Sequence, residues 1–169
     1  TMIATDWIHG RRTPYANQLL KGTICGFSLS TTAPQIFRAL VEATAYGTKA
    51  IVDCFEAEGI RIDVVIGIGG IALKSPFVMQ VMCDVINKPI KVSNTDQACA
   101  LGAAMFAATA AGVYGKVEDA IAAMNSGFSK EYHPDPLNVE IYARLFDKYE
   151  QLGKFTEENT YKENEYNYK

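Results

Sequence analysis

Several things are missing from this chain of 169 residues, and each absence removes a class of function. There are only two histidines, His9 and His133, and neither has a second ligand at metal spacing, so a zinc site or a histidine proton relay has little to stand on. The four cysteines, Cys25, Cys54, Cys83 and Cys99, form no C-x-x-C pair and each lies in an apolar run. They read as buried free thiols of a reducing compartment rather than as disulfides or metal ligands. No apolar run reaches the roughly 18 to 20 residues that cross a bilayer, and "TMIATDW" is not a basic-then-apolar leader. The expectation is a cytoplasmic protein with no membrane contact. The 16 Lys and Arg are scattered under a net charge of -3, so no basic stripe invites nucleic acid.

Hydrophobic residues make up 49% and charged residues 21%, which is ordinary globular usage and leaves one domain with a real core as the default. The first twenty residues, with Gly10, Arg11, Arg12 and Pro14, read as a loop. "GTICGFSLS", Gly22 to Ser30, alternates as a strand packed on both sides. Thr32 then caps a long helix with Pro34 in its first turn, and Gly59 ends it.

"DVVIGIGG", Asp63 to Gly70, is rich enough in Val and Ile for a parallel strand covered on both faces. Ser75 and Pro76 open a second helix with an apolar face from Phe77 to Ile86, and "KPIKVS" is a third strand. After a cap at Thr95 or Asp96 comes "QACALGAAMFAATAAG", a helix rich in small residues. A short helix is expected over Val117–Met124 and a longer one from about Pro136 to Leu152. Residues 1–155 then form the domain, and the polar stretch 156–169 is a disordered tail. Strands alternating with helices argue an α/β sheet, at least partly parallel.

One feature carries chemistry. The strand 63–70 stops on "GIGG", at the carboxyl end where open α/β sheets hold ligands, and glycine lets a flat ring lie against bare peptide. A tight turn with no ligand explains the same spacing equally well. No phosphate loop accompanies the glycines: Lys74 precedes Ser75 without the G-x-x-x-x-G-K-[ST] spacing, and Gly67, Gly69 and Gly70 lack the third glycine of a dinucleotide fingerprint. Asp6, Glu42, Asp53, Glu56, Asp84 and Asp96 stand apart, and Glu42 reads as an ion-pair or capping partner rather than a base.

Three ordered segments together resemble the FGGY family of carbohydrate kinases. "GTICGFSLSTTAPQIFRALVEATAYGTK" is similar to the family's second signature through Gly22, Ile24, Gly26, Gln35, Ile36, Ala39 and Glu42, with Phe27 and Leu40 as apolar-for-apolar departures. "GIGGIALKSPFVMQVMCDVINKPIKV" is similar to its adenosine segment and "QACALGAAMFAATAAG" to its last helix. The resemblance implies an actin-like, ribonuclease H-like ATPase domain, with a mixed sheet and helices on both faces. It implies that the chain is the C-terminal, adenosine-binding lobe of a kinase using ATP and Mg. The catalytic aspartate, the phosphate loops and most sugar contacts would lie upstream, in an N-terminal lobe.

Matched residue by residue, Gly69 and Gly70 fall on the adenine-contacting glycines, Ile71 on the small residue after them and Lys74 on an asparagine position near the nucleotide. Ile71 and Lys74 depart from the family's pattern. The loop "DWIHGRRTP" points within the family to phosphorylation of a pentulose, L-ribulose. The alternatives are a kinase of xylulose or glycerol, or a noncatalytic actin-like nucleotide-binding domain. Asp6, Trp7 and Arg12 would border the cleft or serve a structural role. No metal ligand is assigned, and pairing with another copy of the chain is left open.

Overall fold

The computed structural model describes residues 1–164, and side chains as far as Thr160. In chain order the elements are β1 (Ile3–Ala4), β2 (Ile24–Cys25), α1 (Ala33–Ala57), β3 (Val65–Gly67), α2 (Gly70–Lys74), α3 (Pro76–Ile86), β4 (Ile90–Ser93), α4 (Ala98–Ala110), α5 (Val117–Met124), β5 (Phe128–Tyr132) and α6 (Pro136–Asn164). They form two sheets. β1 pairs antiparallel with β2, while β4 sits between β3, its parallel partner, and β5, its antiparallel one.

Local chemistry sets the helix starts. Thr32 and Gln35 form a capping box at α1, with the Gln35 side chain accepting from the Thr32 N–H at 2.8 Å and Pro34 in the first turn. Ser75 caps α3, its hydroxyl accepting from the Val78 N–H, and α3 ends at Asn87 in the left-handed conformation. Ala72, Met79, Cys83 and Ile86 meet Ile90 and Val92 on one face of the three-stranded sheet. On the opposite face, a cavity of about 310 Å³ lies between Ile66, Ile68 and Phe128 of the sheet side and Leu101, Met105 and Ile121 of α4 and α5. The sheet is thus mixed, with helices on both faces.

A second core joins the sheets. Ile3, Ala45, Tyr46, Val81, Val85, Tyr142, Phe146 and Tyr149 pack together, so β1, α1, α3 and α6 share one apolar interior. Tyr46 lies against three rings of α6, 6.4 Å from Tyr142, 6.1 Å from Phe146 and 5.4 Å from Tyr149. The start of α6 is fastened by Asp84, a carboxylate 2% exposed. It accepts hydrogen bonds from the Gln80 amide, the Asp135 N–H and the Asn138 amide, all within 2.9 Å.

The structure corrects several expectations. A strand at Ile3–Ala4 lies inside the segment read as a loop, and β5, with one buried-leaning residue in five, has no apolar pattern to announce it. The strand expected over 22–30 narrows to two residues, because Gly26 turns the chain at φ +89° and leaves Phe27 and Leu29 exposed. β3 is not covered on both faces, with Ile66 54% and Ile68 57% exposed. α6 runs past Leu152 to Asn164, and Thr156 is buried there. Residues 165–169 of the expected tail lie outside the described residues. All four cysteines are free, but only Cys83 is buried, and Cys25 and Cys99 are exposed. No helix among the described residues is long and apolar enough to cross a membrane.

Burial pushes the hydroxyls of Tyr46, Tyr142 and Tyr149 above the ordinary tyrosine value of 10.0, and burial together with Asp84 pushes the Cys83 thiol up to about 11. The unfolded chain therefore releases these protons first as pH rises through 9 to 10, so the stability they support is complete below that window and is lost above it. The Tyr46 hydroxyl is buried with no hydrogen-bond partner among the described residues, whereas that of Tyr142 donates to Glu42 at 3.2 Å. Urea unfolding should show Tyr46→Phe within about 1 kcal/mol of the parent at pH 7 and less sensitive to alkali, and Tyr142→Phe weaker by about 1 to 2 kcal/mol at pH 7.

Candidate functional site

Three glycines at the end of β3 differ in what requires them. A Cβ on Gly67 would meet Met79 Cε at 3.0 Å and Ala72 Cβ at 3.4 Å, so this glycine lets α2 and α3 lie close on the strand. Gly69 has φ 87° and ψ 179°, a conformation open in practice only to glycine, and its carbonyl accepts from the Leu73 N–H at 3.3 Å. Gly70 needs neither: its φ is not positive, and a Cβ there would meet nothing within 4 Å.

The turn is anchored on one side and bare on the other. Ala72 is buried and Leu73 packs beside it against the Met79–Ile90 core, while Ile71 is 68% exposed and Lys74 is exposed. Gly69, Gly70, Ile71 and Lys74 thus lie together on a short segment whose outward side is bare backbone, an apolar side chain and an ammonium group.

The Asp6–Pro14 loop goes elsewhere. Trp7 is buried, Asp6 Oδ1 accepts from the Tyr149 hydroxyl at 2.9 Å, and the Arg11 guanidinium lies 4.6 Å from the Trp7 ring and 4.9 Å from that of Tyr15 while pairing with Glu157. Gly153 and Gly47 make room for the loop: a Cβ on the first would sit 3.0 Å from Trp7, and one on the second 2.5 Å from Asp6 Oδ2. Asp6 and Arg12 line a cavity of about 200 Å³ with Thr44 and Thr48 of α1, and no residue of the Gly69–Lys74 turn lines it. The loop clamps α1 to α6. The ion pair of Arg11 was missed in the sequence because its partner, Glu157, is far away in the chain.

Glu42 is an ion-pair partner, as read from the sequence. Its Oε1 accepts from Arg38 Nε at 2.8 Å, and hydrogen bonding to Glu42 holds the Arg38 guanidinium above its ordinary value. Glu42 and Arg38 line a cavity of about 470 Å³ with Gln35, Ser28 and Thr1, again apart from the glycine turn.

Substitutions at Gly69 and Gly70 should have separable outcomes. Gly69→Ala should destabilise the protein by about 1 to 3 kcal/mol, because alanine must hold a strained φ. Gly70→Ala should leave the thermal midpoint nearly unchanged. Equal losses at the two positions in thermal unfolding would contradict this division.

Comparison with known proteins gives these shapes a context. The profile of the FGGY family of carbohydrate kinases, C-terminal domain, matches residues 1–111. Ribulokinase of Vibrio parahaemolyticus is 52% identical over 158 residues, covering 94% of this chain and 28% of that protein, and ribulokinase of Bacillus licheniformis is 44% identical, covering 89% and 28%. The chain spans about 28% of the length of these curated relatives. Among solved structures, xylulose kinase from Rhodospirillum rubrum superimposes with a TM-score of 0.78 at 26% identity, covering 95% of this chain and 31% of that one. Ligand-bound xylulose kinase from Lactobacillus acidophilus, at 22% identity, shares the fold with a TM-score of 0.81 over 95% of this chain and 32% of its own. The mixed sheet flanked by helices is the actin-like ATPase architecture of these kinases, and with two thirds of its residues matched by the family's C-terminal profile, this chain belongs to the FGGY family of carbohydrate kinases.

Proposed function

We propose that this chain is the C-terminal lobe of an L-ribulose kinase and that its Gly69–Lys74 turn holds the adenosine part of ATP. The observation that carries the reading is Gly70. Neither backbone conformation nor packing within the chain calls for a glycine there, while a flat base resting on the turn would. The comparisons support the choice of sugar: the similarity to ribulokinases extends over nearly the whole chain.

In this reading the primary hydroxyl of L-ribulose attacks the γ-phosphorus of ATP. A new P–O bond forms, the bond to the β–γ bridging oxygen breaks, ADP departs with the electron pair, and the hydroxyl proton passes to an aspartate upstream of this chain. Such a transfer depends on holding the two reactants in line. The share of this chain is placement: Gly69 and Gly70 leave bare peptide beneath the base, with Ile71 and Lys74 beside it. Mg would be held with the ATP phosphates, and no residue of this lobe is assigned to it.

The test uses the full-length protein with L-ribulose, xylulose and glycerol as acceptors. L-ribulose should give the highest kcat/KM, and a preference for xylulose, the substrate named for the solved neighbours, would reassign the sugar. Gly70→Asp should raise the KM for ATP by about tenfold or more while changing the KM for L-ribulose little, the pattern of lost nucleotide binding. An unchanged KM for ATP in a folded variant would remove the turn from the nucleotide site.

A further inference from the structure

We infer that the cavity between the first turns of α1 and the side of α6 binds a small neutral polyol, a sugar or sugar alcohol, through Glu42, Arg38 and Gln35. The inference is independent of the nucleotide-holding role given to the Gly69–Lys74 turn, since no residue of that turn lines this cavity. Its volume of about 470 Å³ falls within the range of small-molecule sites.

Glu42 is the group that calls for a ligand. It is 6% exposed, and both hydrogen bonds it receives, from Arg38 Nε at 2.8 Å and from the Tyr142 hydroxyl at 3.2 Å, go to Oε1. Oε2 has no partner among the described residues, yet it is not sealed: the fully buried side-chain oxygens without a partner are the hydroxyls of Tyr46 and Tyr132. Glu42 lines the cavity, so Oε2 is reached from there. A carboxylate this deeply buried with one bare oxygen needs a donor.

Unused donors stand beside it. Arg38 gives Nε to Glu42 and Nη2 to Tyr142, which leaves Nη1 without a partner among the described residues. Gln35 Oε1 accepts from the Thr32 N–H and hydroxyl, and the amide nitrogen of Gln35 is unengaged among the described residues. Ile141 and Leu145 supply an apolar wall.

This pattern selects hydroxyl groups. A simple anion is repelled by the Glu42 carboxylate and a simple cation by the Arg38 guanidinium. A zwitterion would match both charges only by competing with the pair they already make at 2.8 Å. A hydroxyl both donates and accepts. Neighbouring hydroxyls can therefore give a proton to Oε2 and accept from Nη1 and the Gln35 amide while leaving that pair intact, with the C–H face of the carbon chain against Ile141 and Leu145.

Hydrogen–deuterium exchange of the full-length protein, with ribitol as the probe, tests this. A ligand so small should bind with a dissociation constant of about 5 mM, so about 50 mM ribitol should slow exchange between Ser28 and Gln35 by about tenfold. Ile141 is 47% exposed, so Ile141→Trp should fold normally, fill the cavity and abolish this protection. Glu42→Gln keeps the shape of the side chain and should weaken ribitol by about tenfold. Both variants are compared with the parent at matched far-ultraviolet circular dichroism. Absence of protection in this segment overturns the inference, and so does protection that survives Ile141→Trp, the mark of closure around ribitol bound elsewhere. Protection by glycine and not by ribitol would assign the cavity to a zwitterion and overturn the polyol class.

Discussion

Everything in this domain depends on the apolar interior that α1, α3 and α6 build around Tyr46. The two sheets share no strand, so their relative placement rests on helices that touch both. Ile3 of β1 enters that interior from one side and Val81 and Val85 of α3 from the other, while Tyr142, Phe146 and Tyr149 close it. Side chains in such a core contribute about 1.5 to 3 kcal/mol each when fully buried, so four rings and their neighbours outweigh the few hydrogen bonds of the two-residue strands. The glycine turn inherits its position from this packing through α3, to which α2 is joined at Ser75.

Polar contacts then fix what the apolar interior leaves loose. Asp84 holds the entry of α6, and Glu42 ties Arg38 of α1 to Tyr142 of α6. Farther along, Asp6 and Arg11 reach Tyr149 and Glu157 from the loop that follows β1. α6 lies outside the segment that the family profile matches, yet it contributes to each of these links and to the central core. It is an integral wall of the lobe rather than an appendage.

Other surfaces are built for burial and are exposed in this chain. α4 is apolar on all sides, the character of a helix enclosed by protein, but only its Met105 is buried and Phe106 is 66% exposed. Ile66 and Ile68 stand out from β3 in the same way. The chain spans 28% of the length of its ribulokinase relatives, and these apolar surfaces lie uncovered in it. The glycine turn is likewise open on its outward side.

Much of the architecture was legible in the residues because its signals are local. Thr32 with Pro34 and Ser75 with Pro76 announce helices through caps and fixed φ, and the Gly69–Gly70 turn is visible because a positive φ demands glycine. The sequence by itself therefore determined where α1, α3, α5 and α6 begin, the α/β class, the turn and the family, but not the short α2 or the Gln97 cap of α4. Only the tertiary structure decided that Gly67 serves packing while Gly70 is free of it, that the Asp6–Pro14 loop clamps α1 to α6 away from the turn, that β5 pairs with β4 and that α6 continues to Asn164. The loop's clamp and the pairing of β5 with β4 depend on partners far apart in the chain, such as Trp7 with Gly153 and Arg11 with Glu157, and no local pattern of residues encodes which distant surface will come to lie against another.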